Sequence, residues 1–160
     1  MKKFTAIHVY DFDGTVVDSS HRYRTQIGSD GVERIDLQHW IDNEHKTLED
    51  SLLPLADQYK ADIQNPAVFV VVATARIWCN LSKAFAAREG VTPQHLIARL
   101  SREDNRGGAE LKISGLNKLL ENPVFENAEM HVFEDNTSYL KSLCDTFGAI
   151  GHYYPSKQGH

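Results

Sequence analysis

Val9-Tyr10-Asp11-Phe12-Asp13-Gly14-Thr15-Val16-Val17 is the stretch from which the rest of the chain is read. It closes an apolar run that starts at Phe4, and that run predicts a buried strand of a parallel sheet. Two carboxylates one residue apart at the carboxyl end of such a strand stand where open α/β sheets place their chemistry. Along an extended backbone Asp11 and Asp13 would point to opposite sides, and the bend that Gly14 permits lets both approach one point. Two carboxylates so placed suit a reaction in which one attacks and the other moves a proton. A calcium loop begun at Asp11 would need Gly at its sixth position and Glu at its twelfth. Val16 and Arg22 stand there, so that reading fails.

Outward from this stretch the pattern alternates between strands and helices. Asp18 to Arg34 is polar, with Gly28 and Gly31, and reads as a loop or small hairpin over the site. Leu37 to Gln64 has helical spacing and reads as two helices, the second capped by Thr47 or Ser51 with Pro54 in its first turn. Ala67 to Ala73 is a second β-branched strand ending in Thr74-Ala75-Arg76. A helix from Trp78 to Glu89 stops at Gly90, and a third strand covers Leu96 to Ala98. After a polar loop from Arg99 to Gly108 comes a helix over 109–121. A fourth strand, Met130 to Phe133, leads into Glu134-Asp135-Asn136. Asn136 or Thr137 caps a helix that ends at Gly148, and Ala149 to Tyr154 makes a fifth strand.

Alternation of this kind predicts a three-layer α/β fold with a parallel sheet of order 3-2-1-4-5. That order sets strands 2 and 4 beside strand 1, so Asp11 and Asp13, Thr74, and Glu134 and Asp135 converge at the switch point. A carboxylate can attack an anionic phosphate ester only if a cation offsets the repulsion, and magnesium does so through oxygen ligands. Asp11 and Asp135 are candidates for two of those ligands. Asp13 is suited to protonating the leaving oxygen and then taking a proton from water. Thr74 offers a hydroxyl and an amide to phosphoryl oxygens, or else caps the following helix. Lys112, one turn into its helix, can reach Asp11 and the phosphoryl group. Lys118 competes for that part from farther along.

The 160 residues and 41% hydrophobic content suit one domain, 1–160, with a single core. No apolar stretch is long enough to span a membrane, and the basic, apolar start lacks a cleavage site, so a cytoplasmic protein is expected. Cys79 and Cys144 have no CxxC partner and read as reduced core residues. The eight histidines lack metal-ligand spacing. A net charge of -5 argues against broad duplex binding but leaves room for a few arginines to capture one phosphorylated end.

Asp11-Phe12-Asp13-Gly14-Thr15-Val16-Val17 resembles the first motif of the haloacid dehalogenase (HAD) superfamily, most of whose members are magnesium-dependent phosphohydrolases. The resemblance implies that Asp11 is the nucleophile and Asp13 the general acid/base. Thr74 and Lys112 match the second and third motifs, and Glu134 with Asp135 the fourth. It implies magnesium held by Asp11, the Asp13 carbonyl and Asp135, with Glu134 behind a water. Gly14, Thr15 and Ala75 fall beside the substrate. Asp13 excludes the dehalogenase branch. Residues 19–66 supply only a flap and helices, and the 99–112 connection only a loop, so no large cap is expected.

Thr74-Ala75-Arg76, the loop with Arg102 and Arg106, and Phe133-Glu134-Asp135-Asn136-Thr137 further resemble the 3′-phosphatase domain of bacteriophage polynucleotide kinases. That likeness implies hydrolysis of nucleic-acid 3′-phosphate ends, with Arg22, Arg76, Arg102 and Arg106 lining the mouth of the site. Glu134 and Gly108 depart from the pattern, where the relatives carry Asp and an acidic residue. The alternatives are a phosphatase of a free nucleotide or other small phosphomonoester, and a non-catalytic binding domain. For Arg22 and Arg76, a surface salt bridge competes with phosphate contact.

Overall fold

The chain's computed structural model describes residues 2–158; Met1, Gly159 and His160, part of the unit expected over 1–160, lie outside them. In chain order β1 (Ala6–Tyr10) leads to a short β2 (Val17–Asp18), a 3-10 turn at Ser20–Arg22, and a hairpin of β3 (Thr25–Ile27) and β4 (Glu33–Ile35). Then come α1 (Leu37–Asp42), a second 3-10 segment at Glu44–Glu49, β5 (Ser51–Leu52) and α2 (Ala56–Gln64). The remainder alternates regularly: β6 (Val68–Ile77), α3 (Asn80–Glu89), β7 (His95–Arg99), α4 (Gly108–Leu120), β8 (Glu129–Glu134), α5 (Thr137–Phe147) and β9 (Ile150–Tyr153).

β7, β6, β1, β8 and β9 form one sheet in that order, every neighbouring pair parallel. This is the expected 3-2-1-4-5 arrangement, and among the described residues no large cap sits on it. Side chains alternate across the strands, so each face feeds its own core. Ile7, Val9, Val71, Ala73 and Val132 pack with Leu116 of α4 and Leu143 of α5. Tyr10, Val70, Val72 and Phe133 pack on the other side with Tyr59 of α2 and Phe85 of α3. Burying both faces is what holds β1 and β6 in the centre, and it fixes where their carboxyl ends emerge.

Two local readings are corrected and two hold. Neither Thr47 nor Ser51 caps α2: the Thr47 hydroxyl donates to the Glu44 carbonyl, and Ser51 lies in β5, paired with Asp18 of β2. The second sheet strand runs on through Thr74 to Ile77, with a register shift against β7 between Ala73 and Ile77. A bulge there is favoured by the Arg76 amide donating to the Thr74 hydroxyl at 3.1 Å. Gly90 ends α3 in the left-handed region at φ 71°, which suits a residue without a Cβ. Asn136 caps α5 through its side chain, which accepts from the Tyr139 amide at 3.0 Å.

Candidate active site

β1 and β8 are neighbours in register up to Tyr10 opposite Phe133, so the residues that follow them emerge side by side. Asp11, Glu134 and Asp135 each bring a carboxylate oxygen within 4.8 Å of the others. All are buried. Lys112, 1% exposed, reaches in from the first turns of α4. Its ammonium donates to Asp11 Oδ1 at 2.9 Å and to Glu134 Oε2 at 2.6 Å. The Thr15 hydroxyl donates to the other Asp11 oxygen at 3.3 Å. Asp135 presses on Gly14, whose φ is 80°; a Cβ on that residue would stand 2.1 Å from Asp135 Oδ2. Only glycine lets the fourth-strand acid close onto the first-strand turn.

One ammonium does not balance these acids. Burial, reinforced by Glu134 and opposed by Lys112, pushes the Asp11 carboxyl up to about 7. Burial and the neighbouring Asp11 push Asp135 to about 7 as well, and burial raises Glu134 against the pull of Lys112. Burial alone would lower Lys112, but Asp11 and Glu134 outweigh it and raise its pKa. A buried set of hard oxygen donors with surplus negative charge fits a small divalent cation such as magnesium.

Asp13 belongs to a different network. Its carboxylate accepts from Arg76 Nε at 3.0 Å, from Arg76 Nη2, and from the Ser19 hydroxyl at 2.7 Å. Arg76 Nη2 also donates to Asp50 Oδ2 at 3.1 Å, and Asp50 takes a bidentate pair from Arg22 at 2.8 and 2.9 Å. His21 Nε2 lies 2.8 Å from Asp50 Oδ1, and the Arg22 guanidinium lies 4.0 Å above the Trp40 ring. Burial pushes Asp13 up, but the Arg76 charge, helped by Arg22 and Ser19, prevails and holds it below the usual carboxylate range.

This corrects the expectation for Arg22 and Arg76. They do not line the mouth, nor do they make a surface salt bridge: they are 1% and 6% exposed and shared between Asp50 and Asp13. Asp50 was missed, because an acid in the polar run Glu49-Asp50-Ser51 carries no motif or periodicity that would mark it.

The other expected residues are scattered around these centres. Thr74 is buried next to Arg76, and its hydroxyl accepts the Arg76 amide. The Ala75 carbonyl accepts from Arg99 Nε at 3.0 Å, and Arg99 also donates to the Asp104 and Arg106 carbonyls, pinning the 100–107 loop to β6. Arg106 is committed to Asp104 by bonds of 2.8 and 2.7 Å, whereas Arg102 is exposed. Lys118 lies in a shallow surface groove with Glu110 and Glu121, away from the acids. Cys79 and Cys144 are free and half-buried. Among the described residues no helix is long and apolar enough to cross a membrane.

A parallel sheet of this order, with acids at the ends of its two central strands, is the arrangement of the HAD-like fold. Solved structures share the fold. A chain of the Pnkp1/Rnl/Hen1 RNA repair complex superposes with a TM-score of 0.68 at 14% identity, over 96% of this chain and 43% of that one. A HAD-like hydrolase from Streptococcus pneumoniae gives 0.64 at 12%, over 95% and 87%. The HAD domain of effector protein Lem4 from Legionella pneumophila gives 0.61 at 14%, over 98% and 88%. The chain therefore spans less than half of the repair-complex chain. No curated protein matches the sequence. The model of the bacteriophage T5 5′-deoxynucleotidase family matches residues 1–104, and the chain belongs to that family. The match takes in Asp11, Asp13, Asp50, Thr74 and Arg76, while Lys112, Glu134 and Asp135 lie beyond it.

Proposed function

We propose that this phosphatase hydrolyses free deoxynucleoside 5′-monophosphates through an aspartyl-phosphate on Asp11. The observation that carries the chemistry is the buried cluster of Asp11, Glu134 and Asp135, of which Asp11 and Glu134 share a single ammonium. The family match supports the substrate class. So does the commitment of Arg22, Arg76 and Arg106 to acids of the chain itself, which leaves only Arg102 of the four as an exposed grip for a flanking phosphate.

In this reading Asp11, Asp135 and the Asp13 carbonyl hold magnesium, with Glu134 steadying Lys112. Magnesium supplies charge neutralisation for the phosphoryl oxygens. An Asp11 oxygen attacks phosphorus and the bond to the ester oxygen breaks. Asp13 protonates the departing oxygen, then takes a proton from the water that attacks the acyl phosphate, releasing phosphate and regenerating Asp11. The Arg76 pair holds Asp13 ionised, which readies it for the second half-reaction. For the first half it must be protonated, so the pair has to loosen when a phosphate arrives to share the guanidinium. Thr74 and the amide of Ala75 face that phosphate, with Gly14 and Thr15 opposite.

The test is a comparison of kcat/KM, with magnesium, for deoxynucleoside 5′-monophosphates, their 3′ isomers and a 3′-phosphorylated oligonucleotide. The 5′-monophosphates are expected to lead by about 10-fold or more, the discrimination that a few positioned contacts provide. An oligonucleotide in first place would return the polymer-end reading, which the fold likeness to the repair complex favours. No turnover of any of them would remove the enzymatic reading.

A further inference from the structure

Between β9 and the site runs a segment that neither the motifs nor the mechanism uses. β9 stays paired with β8 to its end, and the Tyr154 amide donates to the Glu134 carbonyl at 3.0 Å, so the chain leaves the sheet directly beside Asp135. Ser156 then donates its hydroxyl to Asp135 Oδ2 at 2.5 Å. Two residues on, Gln158 turns back and is 9% exposed. Its side-chain amide donates to the Ser19 hydroxyl at 2.9 Å, and its carbonyl oxygen accepts the Ser19 amide at 3.3 Å. Its backbone amide donates to the Ser156 hydroxyl at 2.9 Å.

The two serines are thus wired alike. A hydroxyl has one hydrogen and rotates to suit its neighbours. Each serine accepts from Gln158, which turns its own hydrogen towards an acid: Ser156 towards Asp135 and Ser19 towards Asp13 at 2.7 Å. One residue orients a donor on each half of the site.

We propose that Ser156 and Gln158 are positioning residues, Ser156 for Asp135 and Gln158 for both Asp135 and Asp13 through the two serines. This rests on the reading of Asp135 as a magnesium ligand and Asp13 as the acid/base. A hydroxyl that occupies Oδ2 fixes the carboxylate plane and leaves the second oxygen to the cation. Partners that orient ligands in this way commonly contribute 10- to 100-fold in metal affinity.

Magnesium binding to the whole chain, followed by calorimetry without substrate, separates this from a structural role. Ser156→Ala should weaken binding roughly 10-fold, and Ser156→Thr, which keeps the hydroxyl, should restore most of it. Gln158→Ala keeps the backbone amide on Ser156 and removes the side chain on Ser19, so it should lower kcat at saturating magnesium while magnesium binding stays near the wild-type value. Lys157→Ala, on the exposed residue between them, should change neither. Melting curves show whether each variant is folded. A folded Ser156→Ala that binds magnesium like the wild type overturns the proposal, as does a threonine that fails to rescue. A wild type that binds no magnesium overturns the metal reading, and this proposal with it. A wild type that binds but hydrolyses no phosphomonoester removes the proposed function while leaving the Ser156 result to stand.

Discussion

The two halves of the site face each other across a single turn, and their charges are balanced differently. On the β1/β8 side Asp11 and Glu134 share one lysine with Asp135 beside them, and burial lifts all three acids. On the flap side Asp13 and Asp50 are matched by Arg22 and Arg76, and Asp13 is lowered. The first half carries more acid than its one lysine offsets. The second is already neutral and needs only to be kept in shape. Two aspartates one residue apart therefore end in environments that push their pKa values apart, which is how acid/base and nucleophilic roles are divided between like side chains.

The difference is sharpest for turnover. In the proposed mechanism Asp11→Asn replaces the attacking carboxylate by a non-nucleophilic amide and should cost at least ~10³-fold in kcat, on the order of 4 kcal/mol or more of barrier. Steady-state assays on a folded variant check this, and near-normal turnover would sink the covalent route. Next in size is a stability effect on the neutral half. Asp50→Ala takes away the bidentate partner of buried Arg22 and leaves Arg76 with Asp13 alone, and breaking a buried pair from one side costs roughly 3–5 kcal/mol. Urea melts should show that loss, whereas a change below about 1 kcal/mol would mean that the arginines find water or other partners.

A smaller effect tests the acidic half in the metal-free protein. An acid whose folded pKa lies above its unfolded one binds its proton more tightly when folded, so the stability this confers at low pH is lost as pH rises. For Asp11 and Asp135, both near 7 when folded against 3.8 otherwise, the window runs from about pH 4 to 7. His95 and His152, lowered by burial, bias stability the opposite way as pH falls below their ordinary value of 6.5. Asp135→Asn isolates the acid contribution: melting curves at pH 5.5 and 8 should show a weaker fall in stability for the variant than for the wild type. Equal slopes would mean that Asp135 titrates normally.

How much of this was legible in the sequence follows the same division. Sheet order could be read because β1 and β6 are buried on both faces and announce themselves as apolar runs, and because Gly90 and Gly148 end helices where expected. The acidic cluster could be read because its members sit at strand ends, so topology alone brings them together. The neutral half could not. Asp50 and Ser19 lie in the 19–66 insert, whose short elements follow no repeating pattern, and their partners are set by the fold of that insert. The likeness to the 3′-phosphatase domain points Arg22 and Arg76 to the mouth, and nothing in their local sequence shows the buried acid that holds them. The long strand β6 was cut short for a related reason: the polar Thr74 and Arg76 read as its end, whereas a bulge carries it past them.

The most direct measurement is a calorimetric titration of magnesium into the metal-free protein at pH 7, in buffers of different ionisation enthalpy. Metal binding displaces protons from ligands that hold them, so binding should be saturable and coupled to net proton release from Asp11 and Asp135. The release should shrink at pH 9, where both acids are already ionised, and binding should disappear in Asp11→Asn/Asp135→Asn. Failure of the wild type to bind, or the same binding by the double variant, would contradict the assignment of this cluster as the metal centre.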